Sequence, residues 1–443
     1  MKDDIVYWIW LAEQCGYGSK YFTKLYSLYQ DPHEVYNLQN EEVMQLGRKF
    51  PFNLKDKLCQ RDLSKARAIY DYCSAMGIDV VPFGDSRYPA RLRLIEDPPV
   101  VLYSKGKFPD FNNKLCIGIV GTRKMSRYGR SAAYNFAYEL SSLGTCVVSG
   151  LALGVDAAAA CGALDGKEPT AQILGCGVDI VYPRVHSHLR DEVIKRGALI
   201  SEYPPLEEPK KYYFPQRNRI ISGISHGIFV TECRKESGAM ITADIAFTQG
   251  KEIFAFPGNV GEPTAEGPNE LLRRGAYAAI SVEDIVNHYK FFFDDESDAK
   301  ITQRLRLVRE RAIDVVEAQK RYSIPDRCEE NERINSAPVI GSKSKVKDTS
   351  AERYEAALKT EFAKKENIAE ARETTSAPTS TARDYGLDEK TAAVFEAIPC
   401  KSPVSVDKIV CAGLSTSDVV TALTMLEIMG LIASLPGGLY MRN

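Results

Sequence analysis

Hydrophobic and polar positions fall into four textures along this 443-residue chain. Residues 1–80 carry apolar positions at helical spacing, broken by polar turns such as Gly16-Tyr17-Gly18 and Leu46-Gly47, and predict a domain of short helices. Between about 85 and 290 the pattern becomes a series of short, nearly continuous β-rich runs, each followed by a helical stretch. The runs are Leu115–Val120, Thr145–Ser149, Thr170–Leu174, Ala198–Ser201, Gly227–Thr231, Glu252–Phe256 and Tyr277–Ile280. Strands apolar on both faces and separated by helices predict a Rossmann-like, doubly wound α/β domain with a mainly parallel sheet. Ligands of such sheets bind beyond the carboxyl ends of the strands.

The third texture, 291–385, is charged and rich in Ser, Thr and Ala. Ile301–Tyr322 is expected to form an exposed helix, and Asn335–Arg383 reads as a disordered linker with little to bury. Periodicity returns over 386–443. Helices at Thr391–Ile398, Val406–Cys411 and Ser417–Met429, then a hairpin turning at Pro436-Gly437-Gly438, predict a winged helix. The Leu11–Ser19 stretch has two readings at this stage. It is a helix-hairpin-helix (or SAM-like) turn whose amides hold a phosphate, or a plain helical cap.

Lys and Arg total 57 against 59 Asp and Glu, for a net charge of −2. That excludes a uniformly basic nucleic-acid coat protein and leaves a local basic pocket open. The 11 cysteines include no CxxC and sit among apolar neighbours, as reduced core thiols would. Met1-Lys2-Asp3-Asp4 is acidic where a signal peptide needs positive charge, and Val147–Leu164 is broken by Asp156 and glycines, so a cytoplasmic protein without a membrane span is expected. His186-x-His188 lacks further ligands at metal spacing. HExxH, GxSxG and P-loop motifs are absent and no nucleophile–base pair is evident, so neither metal, cofactor nor catalysis is expected.

The chemistry that remains is anion binding. Val120-Gly121-Thr122-Arg123 ends a strand with a glycine, a hydroxyl and a guanidinium ahead of a helix. Ser149-Gly150 repeats the arrangement on the next strand, with Asp156 read as a helix cap. Phe214-Pro215-Gln216-Arg217-Asn218-Arg219 combines a ring for stacking with two arginines that cannot share one helix face. One of them binds ligand and the other packs. Glu232, then Ser237-Gly238 and Thr242, form a fourth strand–turn–helix, in which Glu232 is expected to pair with Arg217 or Arg219.

In this order the motifs resemble the DNA-processing protein A family (DprA/Smf). The resemblance adds Tyr182-Pro183, Ser201-Glu202-Tyr203-Pro204, Ile241-Thr242-Ala243, Pro257-Gly258 and Gly267-x-Asn269-Glu270-Leu271, and the tail resembles the family's winged helix. Three positions depart from its pattern: Leu153 where the family has Arg, Ala160 where it has His, and His186 where it has Asn. The resemblance implies a non-catalytic binder of single-stranded DNA that protects incoming DNA in natural transformation and loads RecA recombinase. It implies a homodimer through the α/β domain. Phosphate contacts then fall on Gly121, Thr122, Arg123, Ser149, Gly150, Arg217, Asn218, Arg219, Ser237, Gly238 and Thr242, supported by Phe214 and Glu232. The expected domains are 1–80 (helical), 85–290 (Rossmann-like), 291–385 (linker) and 386–443 (winged helix). The competing readings are a phosphoribohydrolase-like nucleotide enzyme and a protein-interaction adaptor.

Overall fold

The computed structural model describes residues 2–293, 298–311, 314–324, 351–361, 387–398, 404–405, 409, 415–429, 431–435 and 439–442. They form two compact units, Met1–Leu358 and Lys359–Asn443.

The first unit opens with six helices, Lys2–Cys15, Tyr21–Tyr29, Pro32–Asn37, Asn40–Gln45, Phe52–Cys59 and Ser64–Met76. Their apolar faces bury Ile9, Trp10, Phe22, Leu25, Leu58 and Ile69 in a core continuous with that of the sheet. Nine strands follow: β1 (Asp79–Pro82), β2 (Val101–Gly106), β3 (Cys116–Val120), β4 (Cys146–Ser149), β5 (Ala171–Ile173), β6 (Ala198–Ser201), β7 (Gly227–Val230), β8 (Glu252–Ala255) and β9 (Tyr277–Ala278). Their order is β1-β2-β6-β5-β4-β3-β7-β8-β9, parallel from β6 to β9 and antiparallel at β1–β2 and β2–β6.

The seven sequence-predicted strands are therefore the parallel body of the sheet. The antiparallel pair β1–β2 went unread, and it begins the sheet at Asp79. Strands β3 to β7 are buried along their whole length, because helices cover both faces. The chain leaves β3 toward β4 on one side and reaches β7 on the other. A crevice therefore opens where the strand order reverses, beyond the carboxyl ends of β3 and β7.

The arm after the sheet corrects the expectation of an exposed helix and a linker that buries little. Helices Asp298–Glu310 and Val315–Arg321 pack on the α/β domain, with Ile301, Leu305, Ala318 and Tyr322 buried. One apolar stripe is enough here because the polar groups beside it are paired. Arg309 bridges Glu139 and Glu283, each at 2.8 Å, and the Tyr322 hydroxyl donates to Asp165 at 2.6 Å. A further helix occupies 351–361. The rest of the expected linker lies outside the described residues.

In the second unit, helices Glu389–Ala397 and Thr416–Ile428 accompany a three-stranded sheet: β10 (Val404–Ser405), β11 (Ile432–Leu435) and β12 (Leu439–Arg442) in the order β10-β12-β11. Leu435 pairs with Leu439 across the hairpin. Of the helix expected at Val406–Cys411 only the buried Ile409 is among the described residues, and the Pro436-Gly437-Gly438 turn lies outside them.

Candidate nucleic-acid interface

A cleft of about 620 Å³ lies over the crevice and is walled by Gly121-Thr122-Arg123, Asp156, Lys211, Phe214, Arg217, Asn218, Ser237-Gly238 and Thr242. A smaller niche of about 250 Å³ shares Arg123, Ala152, Tyr182, Phe214 and Arg217 and extends past Lys124 to Gly150 and Cys176. Four separate stretches of sequence thus meet at one place because parallel strands end there.

The loops lock together. Thr122 N–H donates to the Glu232 carbonyl at 2.6 Å, and the Val155 amide donates to the Thr122 carbonyl at 3.1 Å. Gly154, at φ +81°, lies so close to the Thr122 carbonyl that a Cβ there would collide with it. Arg123 projects from this loop into solvent with its guanidinium 6.0 Å over the Phe214 ring. Phe214 also faces Tyr182 at 5.4 Å, so two half-buried rings form one wall of a cation-rimmed cleft. Ser237 caps the Gly238–Thr248 helix by accepting from Met240 N–H at 3.4 Å. Gly238 and Ala239, at the N-terminus of that helix, line the cleft beside it, and a helix N-terminus favours anions.

The two arginines of the third motif separate as their spacing requires. Arg217 reaches the cleft floor with 4% exposure. There it donates to the carbonyls of Gly150 (2.8 Å) and Ile173 and to the Asn218 side chain (3.1 Å). Burial lowers its pKa and the neighbouring Asp156 carboxylate opposes that shift, while Asp156 is itself pushed up by burial against the pull of Arg217 and Arg123. Arg219 points away from the cleft, to Glu202 (2.5 Å) and Asp97 (3.2 Å). Ser149 is also spent within the fold, its buried hydroxyl donating to the Ile119 carbonyl at 2.8 Å and tying β4 to β3. Gly150 gives the Arg217 guanidinium its room; a Cβ there would meet it. Thr242 lines the cleft with its hydroxyl donating to Gly238 O at 3.1 Å.

Glu232 does not pair with either arginine. Its carboxylate accepts from Ser126 N–H (2.8 Å) and Ser126 Oγ (2.5 Å), fixing the start of the Arg127–Ser142 helix. Asp156 lies in the first turn of its helix, which Gly154 caps, and accepts from Ala152 N–H at 3.4 Å. The Gly16-Tyr17-Gly18 turn is likewise occupied: Gly18 N–H donates to Glu202 at 3.2 Å, and Gln216 donates to the Tyr17 carbonyl at 2.6 Å. The turn amide that would meet a phosphate meets the protein's own carboxylate. His186 is buried and bonds the Leu151 carbonyl at 3.1 Å through Nδ1, while His188 is exposed. Among the described residues no cluster of three or more His, Cys, Asp or Glu is placed to hold a metal ion, and no helix is long and apolar enough to cross a membrane.

Sequence reasoning missed Lys124, Tyr182 and Lys211 as cleft residues. The signal for Lys211 was the basic and aromatic run Lys210-Lys211-Tyr212-Tyr213-Phe214 just ahead of the arginine motif.

Fold and cleft together define a Rossmann-like protein with a cationic, aromatic-walled groove at the switch point of its sheet. Residues 79–290 match the family described as DNA recombination-mediator protein A, and residues 376–438 match the DprA winged helix domain. The DNA processing protein DprA of Bacillus subtilis is 41% identical over 209 residues, 47% of this chain and 70% of that one. Protein Smf of Escherichia coli is 36% identical over 213 residues, 48% of this chain and 57% of that one. The crystal structure of DNA processing protein A from Streptococcus pneumoniae, 31% identical, covers 56% of this chain and 86% of that chain with a TM-score of 0.51. The chain belongs to the DNA processing protein A family.

Proposed function

We propose that this protein binds single-stranded DNA along the cleft and passes it to RecA recombinase, protecting incoming DNA during natural transformation. The observation that carries the reading is the convergence of Arg123, Lys211, Asn218 and the Ser237-Gly238 helix start around the Phe214–Tyr182 wall. Cations, amides and hydroxyls track a phosphodiester backbone, and rings stack unpaired bases at about 1–3 kcal/mol each. An unstacked strand offers both; a duplex hides its bases. Gly121, Thr122, Arg123, Lys211, Asn218, Ser237, Gly238 and Thr242 are the proposed phosphate contacts. Gly150 and Arg217 form the floor, and Ser149 and Arg219 serve the fold instead.

The reading assigns no catalysis. Glu232 is held by Ser126, and Asp156 sits buried beside Arg217. The protein is read as cytoplasmic and as acting in pairs through the α/β domain, which would join two clefts into a longer track. The winged helix is assigned to protein contact, because the Thr416–Ile428 helix carries Asp418 and Glu427 and neither Lys nor Arg.

Fluorescence anisotropy of a labelled oligothymidine at two salt concentrations, against the matching duplex, tests the reading. Salt-dependent binding that prefers the single strand is expected. No binding at low salt overturns it.

A further inference from the structure

Within the first unit, Arg353 and Tyr354 of the helix over 351–361 pack against the turn at Pro205-Leu206. Tyr354 is 4% exposed, its hydroxyl donates to the Pro205 carbonyl at 3.1 Å, and its ring meets Tyr72 edge-on at 5.9 Å. Arg353 Nη2 donates to the Leu206 carbonyl at 2.5 Å. Leu206 is a non-glycine residue at φ +65°, a backbone state that persists only when its surroundings over-determine it. From inside, its amide donates to both oxygens of Asp179 at 3.0 and 3.1 Å, and Tyr72 donates to the same carboxylate at 3.2 Å. From outside, the 351–361 helix holds the two carbonyls.

The turn leads straight to the cleft. Glu207 accepts from Lys210 (2.5 Å) and from the Tyr213 hydroxyl (2.8 Å), and Tyr213 stacks on Tyr203 at 3.8 Å. Lys211 lies between these anchored points and Phe214 follows the second. Both line the cleft.

We propose that Tyr354 and Arg353 are positioning residues for the cleft: their helix is a strap that fixes the 203–214 segment and so places Lys211 and Phe214. The link to DNA rests on the single-strand reading above, whereas the fixing of 203–214 does not. A segment held by fewer bonds opens locally at lower free energy, and amide hydrogen exchange reads that opening without any DNA present.

The test uses the full chain with Tyr354→Phe, Tyr354→Ala and Arg353→Ala. Arg353→Ala only trims a half-buried side chain, and so keeps the test valid if Tyr354→Ala misfolds. Exchange across 203–214 is expected to quicken in Tyr354→Ala and Arg353→Ala while the Arg127–Ser142 and Val155–Asp165 helices keep their protection. Oligothymidine affinity is expected to fall about three- to tenfold, the scale of one lost hydrogen bond, with Tyr354→Phe nearer wild type than Tyr354→Ala. The Tyr354→Ala loss should be smaller in a Lys211→Ala background than in the wild type, because the part of it that acts through Lys211 is already gone. Unchanged exchange over 203–214 overturns the strap. Quickened exchange with wild-type affinity, or losses that multiply in the double variant, overturns the positioning role. If the wild-type chain binds no single strand, the DNA reading falls and the positioning role with it, while quickened exchange would still establish the strap.

Discussion

Arg123 and Arg217 show how one residue type takes two jobs a few ångströms apart. Arg123 is exposed above Phe214 at the mouth of the cleft, whereas Arg217 is fixed under carbonyls in the floor. Arg123→Ala is expected to weaken oligothymidine binding and lower the salt slope by about 0.7, one single-strand phosphate contact. An unaltered slope would remove Arg123 from the interface. His186 makes a different point. Burial pushes its pKa down to about 4 from an ordinary 6.5. The folded state therefore keeps His186 neutral where the unfolded chain takes up a proton. The contribution of His186 to stability is complete above about pH 6.5 and is lost as the pH drops toward 4, by up to about 3 kcal/mol. Melting temperatures across that window should be visibly flatter in His186→Asn, and an unchanged profile would assign the loss to another group.

At the scale of elements, the loops after β3 and β4 form one body. Gly154→Ala places a Cβ against the Thr122 carbonyl in a backbone state that only glycine holds easily, and should cost about 1–3 kcal/mol. Oligothymidine affinity should drop in the same variant, because the Thr122 loop has to move; lower stability with intact affinity would show the loops to be independent. The parallel strands were legible in the sequence because burial on both faces leaves an unbroken apolar run between glycine-rich junctions. β1 and β2 were not, although Val100-Val101-Leu102-Tyr103 is an apolar run, because β1 is followed only by the short Ala90–Arg93 helix and β2 by β3 directly, so the strand–helix alternation is missing there. Of the site, the residues at strand ends were legible from motif order. The partners of Ser149, Arg219 and Glu232 were not, because each side chain has several chemically suitable neighbours and only the fold selects one. Lys211 escaped because it belongs to a loop with no strand of its own, and Tyr182, although present in the motif order, carried no sign there of a place in the cleft.

For the molecule as a whole, the arm from 298 to 324 completes the helical layer. Leu305 is wholly buried and seals the core cluster that contains Ile117 and Phe136. Leu305→Ala is expected to cost about 2–5 kcal/mol, read by denaturant unfolding of the full chain; a loss under 1 kcal/mol would return this segment to the status of a tether. The apolar residues there are few, which is why composition alone described a linker. Glu202 carries a consequence of another kind. Its carboxylate fills the turn in which a helix-hairpin-helix would seat a phosphate, and the same carboxylate neutralises Arg219. The Gly18 amide is thereby taken by an anion built into the chain. Any descendant that recruited the turn for DNA would have to vacate that seat and leave Arg219 leaning on Asp97 alone. Those are two losses for one new contact, and an evolutionary brake written in a single side chain.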